Sequence, residues 1–141
     1  MSIETLQPPE WPRPKGYANG MSASGRMIFI SGQVGWDDQG QFNSDRLTEQ
    51  VKQALANIVR VLKEGRAEPH HVVRLTWYVL SRKDYLREVR EIGVAYREIL
   101  GKHFPAMSVV EVSALMEPRA LVEIEATAVI PDVAHGDLAP A

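Results

Sequence analysis

The sequence contains no cysteine, which excludes disulfide staples, thiolate metal sites, iron–sulfur clusters and cysteine nucleophiles. A chain without thiols suits a reducing compartment, and a cytoplasmic location is expected. An excess of one charge is also lacking. Sixteen Lys and Arg against 18 Asp and Glu leave a net charge of -2 and a pI near 6.1, without the positive surplus that phosphate-backbone binding uses. No nucleic-acid partner is expected. Long hydrophobic runs are absent too. Stretches such as Met27-Ile28-Phe29-Ile30 are far shorter than the roughly 20 apolar residues that cross a bilayer, so no membrane span is expected. The opening MSIETLQPPEWPRP carries Glu4 and no apolar core of a secretory signal, so the chain reads as starting near Met1.

What is present is an ordinary globular composition, with 45 % hydrophobic and 24 % charged residues over 141 positions, enough for one hydrophobic core. Pro8, Pro9, Pro12 and Pro14 delete backbone donors, so residues 1–14 are expected to form an extended arm and no central strand. Residues 132–141 show no periodicity and read as a flexible tail. The folded unit is then 15–131. Within it, Met21–Ser24 and Met27–Gly35 predict two strands of a hairpin that turns at Gly25. Leu47, Val51, Leu55, Ile58 and Leu62 recur at helical spacing up to Gly65, a stop signal. Residues 72–80 are β-branched and aromatic and predict a buried strand. Asp84 is the expected cap of a second helix carrying Tyr85, Val89, Ile92, Tyr96 and Ile99. Two β-rich runs, 108–114 and 120–130, flank the turn Met116-Glu117-Pro118-Arg119, which gives the order ββαβαββ.

Familiar catalytic signatures are mostly missing. His70, His71, His103 and His135 include no i,i+4 pair, and adjacent His70 and His71 are expected to point apart, so no metal site is expected. Gly32 and Gly35 form neither a phosphate loop nor a dinucleotide fingerprint, and Ser31 sits in no nucleophile elbow. Glu123 and Glu125 stand out on one face of an otherwise apolar strand. A partly desolvated carboxylate there could activate water, whereas the plainer reading is a solvated strand face.

In order and spacing, Gly16-Tyr17, Ile30-Ser31-Gly32-Gln33, Ala54-Leu55-x-Asn57, Val72-Val73-Arg74-Leu75-Thr76, Phe104-Pro105-Ala106-x-Ser108 and Val122-Glu123-Ile124-Glu125-Ala126 resemble the reactive-intermediate deaminase (Rid/YjgF) family. The resemblance implies an α+β, chorismate-mutase-like fold: a six-stranded mixed sheet with two helices on one face, assembled as a homotrimeric barrel with small-molecule clefts between subunits. It implies cofactor-free hydrolysis of imines and enamines to 2-oxo acids and ammonia. Carried over by position, Tyr17 and Gly32 would line the cleft, and Glu123 would position the water. Where the deaminases carry the arginine that grips the substrate carboxylate, this chain has Met107, and Gly93 stands where many relatives have Asn. A bidentate contact worth about 1.5–3 kcal/mol is thereby lost, so simple 2-imino acids are expected to bind poorly.

Arg119 is the first candidate for a replacement cation at the substrate, with Arg26 and His103 behind it; the plainer readings are a solvated turn residue and, for Lys102-His103, a helix C-terminus partner. Trp11, Trp36 and Trp77 read as packing residues. Two functions remain open: a hydrolase acting on a small unsaturated amine or carbonyl metabolite, and a non-catalytic trimer that binds such a metabolite. An endoribonuclease reading is disfavoured by the acidic pI and the missing basic stripe.

Overall fold

A computed structural model describes residues 3–132. In chain order it contains β1 (Glu4–Leu6), β2 (Gly20–Ser22), β3 (Gly25–Val34), α1 (Leu47–Glu64), a 3-10 turn (Pro69–His71), β4 (Val72–Val79), α2 (Arg82–Arg87), α3 (Val89–Leu100), β5 (Ala106–Glu111) and β6 (Val122–Pro131). The fold is α+β, with helices packed on one face of a mixed sheet, as expected. The six strands divide, however, into a four-stranded sheet of order β3-β6-β4-β5 and a separate ribbon β1-β2. In the four-stranded sheet β4 and β5 are parallel and the other neighbours antiparallel.

The expected hairpin between β2 and β3 does not form. β2 pairs back onto β1, with Thr5 opposite Met21. Gly25 is the first residue of β3 and not a turn; it has φ +147, and a Cβ there would lie 2.0 Å from the Ile130 carbonyl oxygen. Glycine is needed so that β3 can close on the end of β6. The ribbon meets the main sheet through Ala18, whose amide donates to the Pro105 carbonyl at 3.0 Å.

Helix α1 follows its apolar period. Val51, Leu55, Ile58 and Leu62 are fully buried against the sheet, so packing rather than intrinsic propensity holds the helix. Its first turn is capped from outside: the Glu88 carboxylate accepts from the Thr48 amide at 3.1 Å and the Thr48 hydroxyl at 2.6 Å. Glu88 supplies that cap from a break in the second helix, at φ -100 and ψ 8. The single helix expected there is therefore α2 followed by α3, and Ser81 rather than Asp84 is the N-cap, accepting from the Asp84 amide at 3.0 Å. At the end of α1 the left-handed residue is Arg66, at φ 60. Gly65 serves packing instead, since its Cβ would meet Ile28 Cδ1 at 2.9 Å.

Strand β4 is buried on one face only. Val72, Leu75, Trp77 and Val79 face the helices, while Arg74, Thr76 and Tyr78 lie on the opposite, open face. β6 alternates in the same way, with Val122, Ile124, Ala126 and Ala128 in the core. The two last strands, read in sequence as neighbours around one turn, are separated in the sheet by β4. On the open face Phe29 remains 72 % exposed, an apolar side chain with no partner among the described residues. The expected tail lies outside the described residues apart from Asp132, and so does His135.

Candidate functional site

Glu123 sits near the start of β6, with Tyr78 of β4 on one side and Val34 of β3 on the other. Opposite it, β3 is irregular: the register steps from Ile30↔Ala126 to Gln33↔Ile124, leaving Ser31 and Gly32 as a bulge. The Glu123 side chain lies over this bulge. A Cβ on Gly32 would stand 2.1 Å from Glu123 Oε2 and 2.7 Å from its Cγ, so the close approach requires glycine. Gly32 and Glu123 are thus brought together.

Glu125, one pleat along the same face, is differently placed. Its Oε1 accepts from the Tyr78 hydroxyl at 2.7 Å. That hydrogen bond, with burial and the nearby Glu125 and Glu123 charges, holds the Tyr78 phenol above its ordinary pKa. The Glu123 carboxylate has no hydrogen bond or ion pair among the described residues, so of the two carboxylates it is the uncommitted one.

Met107 is elsewhere. It pairs in register with Leu75, which is fully buried beneath the helices, and it packs against the same core. Within one chain Met107 and Glu123 therefore lie on opposite faces of the sheet. Tyr17 stands beside Met107's end of β5, through the bridge between Ala18 and Ala106, and is 42 % exposed. The candidate residues thus fall into two groups, Tyr17 with Met107 at edge strand β5, and Gly32 with Glu123 at edge strand β3 and its neighbour.

The three candidate cations are each engaged. Arg119 reaches Asp45 at 2.7 Å, donates to the Phe42 carbonyl at 3.4 Å and lies over the Phe42 ring at 5.4 Å. This fastens the 116–119 turn to the loop before α1. Arg26 donates to the Gly65 carbonyl, and His103 Nε2 lies against the Val72 carbonyl. Of the tryptophans, Trp77 is core and stacks with Tyr96 at 6.4 Å, whereas Trp11 is 54 % exposed. Trp36 lines a concavity of about 460 Å³ with Gln33, Asp38, Asn57 and Arg60.

The sequence reading missed Gln50. It is 1 % exposed and fully satisfied: its amide donates to the Ser44 and Arg119 carbonyls at 3.0 and 3.1 Å, and its oxygen accepts from the Leu121 amide at 2.8 Å. It fixes the chain just before Glu123. The signal was available, because Gln50 lies three residues after Leu47 and four before Ala54, on the helix's buried face.

Compared with known proteins, residues 12–130 match the family model described as endoribonuclease L-PSP. A human 2-iminobutanoate/2-iminopropanoate deaminase is 36 % identical over 105 residues, covering 74 % of this chain and 73 % of the relative. A RutC family protein of Pyrococcus abyssi is 31 % identical over 91 % of this chain and 98 % of its own length. The crystal structure of a protein of unknown function of the conserved Rid family from Yersinia pestis superposes with a TM-score of 0.80 at 33 % identity, covering 92 % of this chain and all of that one.

Proposed function

Since the chain belongs to the endoribonuclease L-PSP family, that of the Rid proteins, we propose that it is a small-molecule hydrolase that deaminates an enamine or imine, or adds water to a related unsaturated metabolite. The observation that carries this reading is Glu123, an uncommitted carboxylate held over a glycine bulge and facing out of the sheet. In the reaction, water adds to the imine carbon while Glu123 takes a proton from it. That proton passes to nitrogen to give a carbinolamine; Glu123 then carries the hydroxyl proton to the same nitrogen as the C–N bond breaks, and a carbonyl compound and ammonia leave. A general base of this kind contributes about 100- to 10,000-fold. No cofactor enters this scheme.

The site is proposed to be complete only between copies. Tyr17 and Met107 occupy one edge of the sheet and Gly32 and Glu123 the other, so a cleft containing all four requires β5 of one copy to approach β3 of the next. A homotrimer closes such a ring, and the exposed Phe29 and Met27 on the open face supply apolar surface for it. A monomer by light scattering at micromolar concentration would end the shared-cleft reading.

Met107 sets the substrate class. A thioether cannot grip a carboxylate, so turnover of 2-iminobutyrate should be slight and a less charged or bulkier ligand preferred. The same residue favours the second reading, a trimer that binds a metabolite without turnover. Glu123→Gln separates them, with steady-state rates and calorimetric binding measured on a ligand found by screening enamines, imines and unsaturated carbonyl compounds. As a hydrolase the variant loses about 100-fold or more in rate with little change in binding. An unchanged rate removes Glu123 from the mechanism.

A further inference from the structure

Three of the histidines, His70, His71 and His103, gather at the end of the sheet remote from Glu123. The 3-10 turn Pro69–His71 leads into β4 and His103 precedes β5, and because these strands are parallel both segments arrive at the same end. β6 finishes there at Pro131, and the ribbon lies alongside. His70, His71 and His103 line a concavity of about 390 Å³ with Ile3, Thr5, Met21 and Pro131.

Hydrogen bonds decide which ring nitrogens are free. His71 Nδ1 accepts from the Glu68 amide at 3.0 Å, so the neutral ring carries its proton on Nε2. His103 Nε2 is 2.6 Å from the Val72 carbonyl, which can only accept; Nε2 is therefore the donor, and Nδ1 is left over. His70 has no hydrogen bond among the described residues, and its ring lies against that of His71 with centroids 4.1 Å apart. The adjacent rings thus meet, contrary to the expectation that they point apart, because a 3-10 turn and not a strand carries them.

The two bonded rings answer acid differently. A second proton on His103 goes to Nδ1 and leaves the bond to Val72 intact. On His71 it could go only to Nδ1, breaking the bond from Glu68. Burial, and then the charges of His70, Arg26 and His103, also hold His71 below its ordinary pKa, with Glu68 opposing. The other charges nearby are few. Arg26 of β3 donates to Gly65, the Glu68 carboxylate turns back to accept from the His71 amide, and Lys102 adjoins His103. Glu4 alternates away from Ile3 and Thr5 on β1, and Asp132, after Pro131, has a partner of its own.

We propose that this concavity binds a small tetrahedral oxyanion, a sulfate or phosphate group, with uptake of a proton. His71 Nε2–H is a donor in the neutral ring, and His103 Nδ1 becomes one only on taking a proton, with the unbonded His70 ring beside them. Nothing in this proposal depends on Glu123 or on turnover.

Sulfate is the probe, because its charge stays constant while the imidazoles titrate. Imidazole NMR signals are followed during sulfate addition at fixed ionic strength, at about pH 5.5 and about pH 7.5. Saturable shifts of His70, His71 and His103 are expected at the lower pH, with affinity at least about tenfold weaker at the higher. His103→Gln keeps a donor for Val72 but cannot take the proton, so it should lose most of the affinity gained at low pH. Exposed His70→Asn should weaken binding in the same direction and guards against misfolding of the first variant. Non-saturating shifts matched by chloride, or an unchanged pH dependence in His103→Gln, would overturn the proposal.

Discussion

Replacing Gly32 by alanine tests the placement of Glu123 directly. The φ of Gly32 is not in the left-handed region, so alanine is tolerated by the backbone, and stiffening the unfolded chain should by itself stabilise by about 0.4–1 kcal/mol. Against this stands the clash. The new Cβ would sit 2.1 Å from Glu123 Oε2, 2.6 Å from Cδ and 2.7 Å from Cγ, well inside contact distance, so Glu123 must leave its rotamer or the bulge must shift. Forced overpacking of this kind costs about 1–3 kcal/mol. The decisive measurement is a double-mutant cycle by urea unfolding of wild type, Gly32→Ala, Glu123→Ala and the double variant. With Glu123 truncated the obstruction is gone, and Gly32→Ala should be neutral or stabilising. In the wild-type background it should be less favourable by about 1–3 kcal/mol, the coupling energy between the two positions. If the chain is the hydrolase proposed above, the single Gly32→Ala variant should also lose turnover out of proportion to its stability, because it displaces the carboxylate that reading uses as the base. A coupling below about 0.5 kcal/mol, within the additivity expected of unconnected sites, would refute the placement of Glu123 over the bulge.

Gln50→Leu removes three hydrogen bonds to the half-buried Ser44 and Leu121 and the exposed Arg119 backbone; about 1–3 kcal/mol of stability should be lost, read from the denaturation midpoint. His71 titrates in the folded state below its ordinary 6.5, through burial first and then the His70 charge, so the unfolded chain binds the proton more readily. Stability should be complete above 6.5 and fall as pH drops through the folded value, and a pH series of unfolding curves should flatten over that window in His71→Asn. Met107→Arg should raise kcat/KM for 2-iminobutyrate by about 10- to 100-fold if the edge of β5 contributes the carboxylate contact. An unchanged value in a protein with a native circular dichroism spectrum would remove position 107 from the cleft.

Periodic and local features were the legible ones. The apolar stripe Leu47, Val51, Leu55, Ile58 and Leu62 announces α1, and the alternation through Glu123 and Glu125 announces a strand with two unlike faces, because burial imposes those periods residue by residue. Partnering was not legible. Gly25 looks like a turn glycine, yet it is needed by a carbonyl of Ile130, more than a hundred positions away in the chain. The break at Glu88 carries no proline or glycine; it is tied to the cap that Glu88 places on Thr48. At the site, the sequence pairs Gly32 with Glu123 because both lie in motifs of the family resemblance. It could not show that Met107 lies beyond the sheet from them, since that depends on the register of β5 against β4.

The position of β6 also bears on how the chain is made. It is the last strand among the described residues, yet it lies between β3 and β4 and pairs with both. During synthesis, α1 and the β4–α3 segment can take shape as they emerge, but β3 and β4 have no shared neighbour until residues 122–131 arrive. The sheet therefore closes late, through pairings of long sequence separation, which slows folding. Until then two strands expose open edges, the kind of surface that chaperones hold and that crowded nascent chains mispair. A premature stop before Val122 would leave not a shortened domain but a helical layer over a broken sheet, with β3 cut off from the β4–β5 pair.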